Sequence, residues 1–232
     1  MSDFIRSSVL NNIPEKKIQL ALEAVDKKIE DLQSRATMKA AINRYAESNI
    51  PTEYWYLKME RDFKGDVKLI SKYQEYTANL ENTYTNGESI CFAGKCGVGK
   101  TLTMSCILKK AALKGFSCLY TSISDIVNAL TQSDNDAKFS VRRELAMVDF
   151  LVIDEFDNRF FGKTDSANEL FARSFESVVR ARLQNNLPVL IATNSPNIQE
   201  SFVSFFKESL GSLMNKISIF YVSGEDYRKQ SK

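Results

Sequence analysis

The sequence contains no histidine, the side chain that most often transfers protons near neutral pH and that binds zinc through nitrogen. Any general base must therefore be a carboxylate, a lysine, a cysteine or a tyrosine. The four cysteines include no C-x-x-C pair, which predicts neither a zinc site nor a disulfide framework. No apolar run approaches the roughly 20 residues that span a bilayer, and the first ten residues lack a secretory signal pattern. We therefore expect a cytoplasmic protein with no membrane partner.

Strong charge of either sign is also lacking. The formal net charge is only +2, which argues against a broad basic coat for nucleic acid but leaves room for a local basic stripe. With 232 residues, of which 44% are hydrophobic and 26% charged, the chain can bury one core plus a smaller appendage. Composition thus indicates a globular protein of enzyme size.

The most informative segment is GKCGVGKT, from Gly94 to Thr101, which fills the G-x-x-x-x-G-K-[ST] pattern of a phosphate-binding P-loop. An apolar run precedes it and a helical pattern follows it, as the motif requires. Its glycines let the main-chain N–H groups turn inward at the positive end of a helix, where they suit phosphate oxygens. Lys100 is expected at the β and γ phosphates, and the Thr101 hydroxyl at Mg²⁺. The predicted ATP-binding residues are Gly94, Lys95, Cys96, Gly97, Val98, Gly99, Lys100, Thr101 and Leu102.

A second motif is FLVIDE, from Phe150 to Glu155, in which an apolar run leads directly into two carboxylates. This pattern predicts a buried strand whose carboxyl end emerges at a polar site. In P-loop proteins an aspartate at this position holds Mg²⁺, which is the role expected for Asp154. Because no histidine is available, Glu155 is the candidate base that activates water.

A third segment, PVLIATN from Pro188 to Asn194, reads as another buried strand that ends in a polar residue. If it lies beside the other two strands, Asn194 would face the γ-phosphate and position the attacking water. The alternative is an asparagine that merely starts the turn before Pro196.

From Ser89 onward strands and helices alternate, which predicts an α/β domain with a mostly parallel sheet. Strands are predicted near 90–93, 117–121, 149–154, 188–193 and 217–222. Helices are predicted near 100–114, 122–131, 138–147, 166–185 and 197–214.

The segment before this domain has a different pattern. From Glu15 to Ala36 apolar residues recur at helical spacing, which fits a helix docked on its own domain as well as one offered to a partner. The aromatic, turn-rich stretch 49–65 reads as a connector, and 66–82 as a helix. We therefore predict a helical partner-binding region at 1–48, a connector with a helix at 49–88, and an ATPase domain at 89–232.

Taken together, GKCGVGKT, DFLVIDE and ATNSP resemble the Walker A, Walker B and sensor I elements of AAA+ ATPases, in particular the DnaC-type helicase loaders and their transposition-helper relatives. The likeness includes the basic RREL stretch before DFLVIDE and the GEDYR ending at 224–228. Only about ten residues follow the last predicted strand, so we expect no C-terminal helical lid. The resemblance implies a P-loop NTPase fold with a parallel five-stranded sheet flanked by helices.

The resemblance also implies function and partners. Its members bind ATP between adjacent subunits, attach to a hexameric replicative helicase through the N-terminal region, and help to place that ring on single-stranded DNA. We therefore expect a homo-oligomer that forms with ATP, and a helicase contact on the helix from Glu15 to about Arg35.

One departure from the family pattern bears on hydrolysis. An arginine that reaches the neighbouring subunit's γ-phosphate is expected in the stretch that here reads GSLMNKI, where Ser212 and Lys216 stand at the two arginine positions. Lysine lacks the bidentate fork of arginine and would stabilise the transition state less well. We expect weak intrinsic hydrolysis, or an arginine supplied by Arg180, Arg182 or a partner.

Two further groups have competing explanations. Lys138, Arg142 and Arg143 lie on a predicted helix where initiator-type relatives contact DNA, and a solvated helix face explains them equally well. The aromatic run 54–56 could stack on adenine, although core packing is the more common role of such residues.

Three classes of function fit these motifs. The first is a helicase loader, and the second is a transposition helper that acts on DNA with a transposase. The third is a small-molecule kinase, which has less need of a water-activating glutamate beside Asp154. ATP turnover without an added acceptor would separate the kinase from the other two.

Overall fold

The computed structural model describes residues 15–131, 134–156, 165–195 and 215–226. The chain divides into two compact units, Met1–Asn43 and Arg44–Lys232. The helix predicted at 197–214 lies outside the described residues, as do Ser212 and the last two residues of the GEDYR stretch. No helix within the described ranges is both long and apolar enough to cross a membrane.

Helix α1, Glu15–Glu47, begins in the first unit and ends in the second. It extends beyond the predicted segment because no glycine or proline interrupts it before residue 48. Six large apolar side chains of its part in the first unit are exposed, with exposed fractions of 46–57%: Leu20, Leu22, Val25, Ile29, Leu32 and Met38. Four of them, Leu22, Val25, Ile29 and Leu32, recur at spacings of three and four residues and form a solvent-facing apolar stripe on one face of the helix, whereas Leu20 and Met38 lie on the opposite face.

The second unit is built on one parallel sheet. Its strands are β1 (Ser89–Ala93), β2 (Cys118–Ser122), β3 (Phe150–Phe156), β4 (Val189–Thr193) and β5 (Ile217–Tyr221). They lie in the order β2-β3-β4-β1-β5, with every neighbouring pair parallel. The carboxyl ends of β1, β3 and β4 consequently meet at one edge of the sheet, where parallel α/β sheets bind ligands. The predicted five-stranded parallel sheet is confirmed.

The helices flank this sheet and agree with the prediction to within a few residues. They are α2 (Met59–Asp62), α3 (Val67–Ala78), α4 (Leu80–Thr85), α5 (Lys100–Leu113), α6 (Ile123–Thr131), α7 (Asn135–Met147) and α8 (Asp165–Gln184). A 3-10 turn, Thr52–Tyr54, lies in the predicted connector.

One predicted helix was wrong. The segment 66–82 forms two helices, because Asn79 leaves the helical conformation at φ −140° and ψ 83°. Its side chain instead accepts a hydrogen bond from the Asn82 main-chain N–H at 3.1 Å and caps α4.

The core lies on both faces of the sheet. All residues of β1 and β4 are buried, as expected for central strands of a parallel sheet covered by helices. One cluster includes side chains of three strands and of α8: Cys91, Leu151, Ile153, Ile191, Phe175, Val178 and Val179. This packing holds the strand ends in place.

The buried guanidinium of Arg182 links three segments of the chain. Arg182 on α8 has no exposed surface, and its guanidinium donates to the main-chain carbonyls of Leu145 (2.9 Å), Asp149 (3.0 Å) and Pro188 (2.7 Å). Burial lowers the pKa of Arg182 to about 10, so the side chain is still charged at neutral pH. Arg182 is therefore structural, and its prediction as an arginine that reaches a neighbouring subunit was wrong.

We predict that Arg182→Ala lowers the free energy of unfolding by about 3 kcal/mol or more, because three buried carbonyl groups lose a charged donor. Urea denaturation of both proteins measures the difference. Arg180→Ala is the matched control, since Arg180 on the same helix pairs with Glu176 at 2.5 Å near the surface. That control should lower the unfolding free energy by about 0.5 kcal/mol or less. Equal losses for the two variants would contradict the structural role of Arg182.

Candidate functional site

The P-loop connects β1 to α5 at the carboxyl edge of the sheet. Gly97 and Gly99 have φ values of 77° and 98°, a left-handed conformation that favours glycine. Helix α5 begins at Lys100, directly after the loop. The main-chain N–H groups of the loop therefore lie at the positive end of a 14-residue helix, an arrangement that suits phosphate oxygens.

Lys100 links the loop to a neighbouring strand. Its ammonium donates to the main-chain carbonyls of Gly94 and Lys95, both at 2.7 Å, and to Asn194 Oδ1 at 2.9 Å. Asn194 follows β4, the neighbour of β1 in the sheet. A cation and an amide that are 94 residues apart in the chain thus meet at the loop.

Asp154, on β3, is the most heavily bonded carboxylate of the site. Thr101 Oγ1 donates to its Oδ2 at 2.9 Å, and the main-chain N–H of Glu155 donates to its Oδ1 at 2.7 Å. The hydroxyl of Tyr120 on β2 also donates to Oδ2. Burial, followed by the charge of Asp154, raises the pKa of Tyr120, which keeps this hydroxyl protonated as a donor.

The donor set fits Mg²⁺. A threonine hydroxyl and one carboxylate offer hard oxygen ligands side by side, and Mg²⁺ in nucleotide sites takes its remaining ligands from phosphates and water. Among the described residues no group of three or more acidic or cysteine side chains forms a larger metal cluster. The pair formed by Thr101 and Asp154 is thus the candidate magnesium site.

Glu155 differs from Asp154 in conformation and exposure. Between the pairs Ile153 with Ile191 and Phe156 with Thr193, strand β3 advances three residues while β4 advances two. This bulge puts Glu155 at φ 57°, a sparsely populated conformation for a residue with a side chain. Asp154 is 6% exposed, whereas the side chain of Glu155 is accessible to solvent. Bulges of this kind redirect a side chain, and here the redirected group is the predicted base.

These side chains surround a cavity of about 340 Å³, within the size range of ligand pockets. Its lining residues are Tyr54, Cys96, Gly97, Gly99, Lys100, Thr101, Leu102, Asp154, Glu155, Ala192 and Asn194. A larger cavity of about 510 Å³ lies at the amino ends of the strands and lacks the glycine loop and the buried carboxylate. The chemistry that the sequence predicted is therefore concentrated in the smaller cavity.

Of the aromatic run 54–56, only Tyr54 lines this cavity. Trp55 donates its indole N–H to the Ile50 carbonyl at 2.7 Å, and Tyr56 is 62% exposed. Lys109 on α5 holds the segment by donating to the main-chain carbonyls of Tyr54 (2.6 Å) and Leu57. Tyr54 is thus the one residue of this run whose position fits the predicted contact with adenine.

Three residues of the site were not predicted from the sequence. Tyr120 carries no motif, and Phe63 packs so closely on the loop that a Cβ on Gly99 would lie 2.3 Å from its ring. A Cβ on Gly97 would lie 1.8 Å from Asp226 Oδ1. For Asp226 the GEDYR ending was an available signal, whereas only the fold brings Phe63 and Tyr120 to the loop.

The remaining predicted residues lie away from this cavity. Lys216 directly precedes β5, at the amino ends of the strands, and donates to the Leu183 carbonyl at 3.4 Å. Any role of Lys216 at a γ-phosphate therefore requires another subunit. On α7, Arg142 and Arg143 are exposed and Lys138 is half-buried.

Comparisons with known proteins identify relatives. Residues 57–232 match the protein family described as IstB-like ATP binding protein. The chain is 29% identical over 140 residues to the replicative helicase loader DnaC of Escherichia coli strain K12, covering 59% of this chain and 53% of DnaC. It is 28% identical over 154 residues to the insertion sequence IS5376 putative ATP-binding protein of Geobacillus stearothermophilus, covering 62% of this chain and 57% of that protein. The chain thus spans about half the length of these curated relatives.

Solved structures show the same fold. A crystal structure of the DnaC helicase loader has a TM-score of 0.59 at 19% identity and covers 75% of this chain and 100% of that chain. The replication initiator DnaA bound to AMPPCP and single-stranded DNA has a TM-score of 0.56 at 16% identity, covering 76% of this chain and 51% of that chain. These likenesses confirm the AAA+ P-loop fold. Because the family match covers well over half of its length, the chain belongs to the IstB-like ATP-binding protein family.

Proposed function

We propose that the chain binds and hydrolyses ATP with Mg²⁺ at this site, and that it acts as an ATP-dependent factor that loads a hexameric replicative helicase onto single-stranded DNA. The observation that carries the ATPase proposal is the meeting of Lys100 with Asn194 and of Thr101 with Asp154, each pair 2.9 Å apart. The similarity to DnaC supports the helicase-loading role.

Binding would rest on the P-loop. Its main-chain N–H groups surround the phosphate oxygens, and the Lys100 ammonium neutralises charge on the β and γ phosphates. Thr101 and Asp154 hold Mg²⁺, which when bound supplies charge neutralisation on the phosphates. Tyr54 contacts the base from the segment that precedes the loop.

Hydrolysis requires a water molecule that is oriented and deprotonated. Glu155 is solvent-accessible beside the buried Asp154, so its carboxylate can accept the proton of a water within the cavity. Asn194 offers an amide that hydrogen-bonds the same water or the γ-phosphate. Lys216 would act only from a neighbouring subunit and without a bidentate fork, so we expect slow turnover by the purified chain.

We predict that Glu155→Gln lowers kcat for ATP hydrolysis by about 100-fold or more, because general-base catalysis contributes on that scale, while ATP binding persists. Phosphate release without any acceptor measures turnover, and calorimetry measures binding. Lys100→Ala should abolish the binding heat itself, which separates loss of chemistry from loss of the nucleotide. Hydrolysis by Glu155→Gln at the wild-type rate would rule out Glu155 as the base.

DNA contact is assigned to helix α7. Phe139 is 69% exposed between Lys138 and the exposed Arg142 and Arg143. An aromatic ring for stacking beside cations for phosphates is the usual composition of a surface that binds single strands without sequence preference.

We predict that Arg142→Ala/Arg143→Ala weakens binding of an oligo(dT) strand and lowers the slope of log affinity against log salt by roughly 1.4, since each phosphate that is no longer neutralised accounts for about 0.7. Fluorescence anisotropy across a salt series measures both quantities. Lys68→Ala/Lys72→Ala removes two lysines from helix α3 and should leave the slope unchanged. Binding that is insensitive to salt in the wild type would contradict a phosphate-binding role for α7.

The partner surface is assigned to the exposed apolar stripe of α1 formed by Leu22, Val25, Ile29 and Leu32. A transposition-helper role is the second candidate, because the chain is as similar to the IS5376 protein as to DnaC.

We propose that the chain assembles as a homo-oligomer when ATP is bound, since the family completes its site between subunits.

We predict that the tagged chain, with ATP, recovers a replicative helicase from lysate of its host, because the stripe offers an apolar docking surface. Mass spectrometry identifies the partner, and recovery of a transposase instead would favour the second candidate. Leu22→Asp/Ile29→Asp places charges on the stripe and should abolish recovery while leaving the calorimetric ATP signal unchanged. Equal recovery by this variant would exclude the stripe as the contact.

A further inference from the structure

Tyr120 lies at a position of strand β2 from which its side chain reaches the magnesium ligand. Cys118 to Ser122 pair in parallel with Phe150 to Asp154, so Tyr120 is opposite Val152. Because side chains alternate along a strand, Tyr120 and Asp154 face the same side of the sheet. The Tyr120 hydroxyl donates to Asp154 Oδ2, the same oxygen that accepts from Thr101.

The Tyr120 hydroxyl is one of three donors that hold the buried carboxylate of Asp154 in place. Asp154 is 6% exposed, and a buried charge requires donors in place of the water that it loses. The Glu155 main-chain N–H is bonded to Oδ1, whereas Tyr120 and Thr101 are both bonded to Oδ2. Thr101 is itself a candidate ligand of the metal, so Tyr120 is the side-chain donor to Oδ2 that is not committed to Mg²⁺. Such outer partners of a metal ligand commonly set its orientation.

The main chain of Tyr120 is held from outside the sheet. Strand β2 is one of the two edge strands of the described sheet, so one side of its backbone has no neighbouring strand among the described residues. The Tyr120 N–H donates to the Ser48 carbonyl at 2.8 Å, and the Asn49 side-chain amide donates to the Tyr120 carbonyl at 2.9 Å. Ser48 and Asn49 directly follow helix α1, and Asn49 adopts φ 53° to make the contact.

We propose that Tyr120 is a positioning residue for the magnesium ligand Asp154, and that Ser48 and Asn49 fix the position of Tyr120. The chain segment that follows helix α1 is thereby connected to the metal site: two hydrogen bonds join it to the main chain of Tyr120, and a third joins the Tyr120 hydroxyl to Asp154. This inference rests on the proposed binding of Mg²⁺ and nucleotide at the site. It adds a residue that acts through Asp154 and is not itself a proposed ligand of the metal.

The experiment is calorimetry of the full chain with AMPPCP, which is not hydrolysed, at a series of Mg²⁺ concentrations. Tyr120→Phe keeps the ring and removes only the hydroxyl. We expect the Mg²⁺ concentration for half-maximal binding to rise about 10-fold, the lower end of the range for loss of an outer partner. AMPPCP affinity at saturating Mg²⁺ should stay within about 2-fold of the wild type, because the P-loop contacts remain.

Tyr76→Phe is the matched control. Tyr76 is buried, whereas Tyr120 is half-buried, and the Tyr76 hydroxyl donates to the Glu88 carbonyl at 2.6 Å, before β1 at the amino ends of the strands. It should reduce stability without changing the Mg²⁺ requirement. An unchanged or lower Mg²⁺ requirement for Tyr120→Phe, with normal wild-type binding, would overturn the inference. Absence of Mg²⁺-dependent binding in the wild type would instead overturn the proposed function.

The role of Asn49 in fixing Tyr120 is tested with Asn49→Gly, which removes the side-chain amide but tolerates the left-handed backbone. We expect about a 3-fold rise in the Mg²⁺ requirement. In the Tyr120→Phe background the same substitution should add nothing, because its effect passes through the Tyr120 hydroxyl. Additive effects of the two substitutions would overturn the connection from Asn49 to the site.

Discussion

The carboxylate of Asp154 is the junction on which the site depends, since it accepts hydrogen bonds from three parts of the chain. Thr101 belongs to the helix after the P-loop, Tyr120 to the edge strand, and the Glu155 N–H to the bulge in β3 itself. A nearly buried charge is stable only when it is surrounded by donors. The three donors around Asp154 therefore hold the P-loop helix, strand β2 and strand β3 at fixed distances from one another.

Helix α5 is held in this position along its whole length. At its carboxyl end Arg44 donates to the carbonyls of Ala112 (3.2 Å) and Leu113 (2.9 Å), which belong to the last turn of the helix. In its middle Lys109 is bonded to the main chain of the turn that carries Tyr54, and burial lowers the pKa of this lysine. The end of helix α1 and the first part of the predicted connector at 49–65 thus supply the groups, on Arg44 and at Tyr54 to Leu57, that hold the P-loop helix. This part of the connector also brings Tyr54 to the nucleotide cavity.

Comparison of the predicted and observed elements shows where local patterns suffice. The P-loop glycines, the strand that carries Asp154 and the strand that precedes Asn194 were all predicted, because each is encoded within about eight consecutive residues. The helix at 66–82 was not predicted correctly, because a single capping asparagine outweighed its helical pattern. Arg182 was assigned the wrong role because an arginine on an exposed helix face and an arginine buried against the sheet look the same in the sequence. Its burial became apparent only from the three carbonyls around it.

Residue types and their spacing were enough to establish a phosphate loop, a carboxylate pair and an alternation of strands and helices, because these depend on backbone conformation and on neighbours in the chain. Strand order, the bulge at Glu155 and the arrival of Phe63, Tyr120 and Asp226 at the loop depended on folding. Each of these joins segments that are tens of residues apart, and such pairings are selected by the packing of the complete core. No local pattern records which distant side chain will fill the space beside a given glycine or carboxylate.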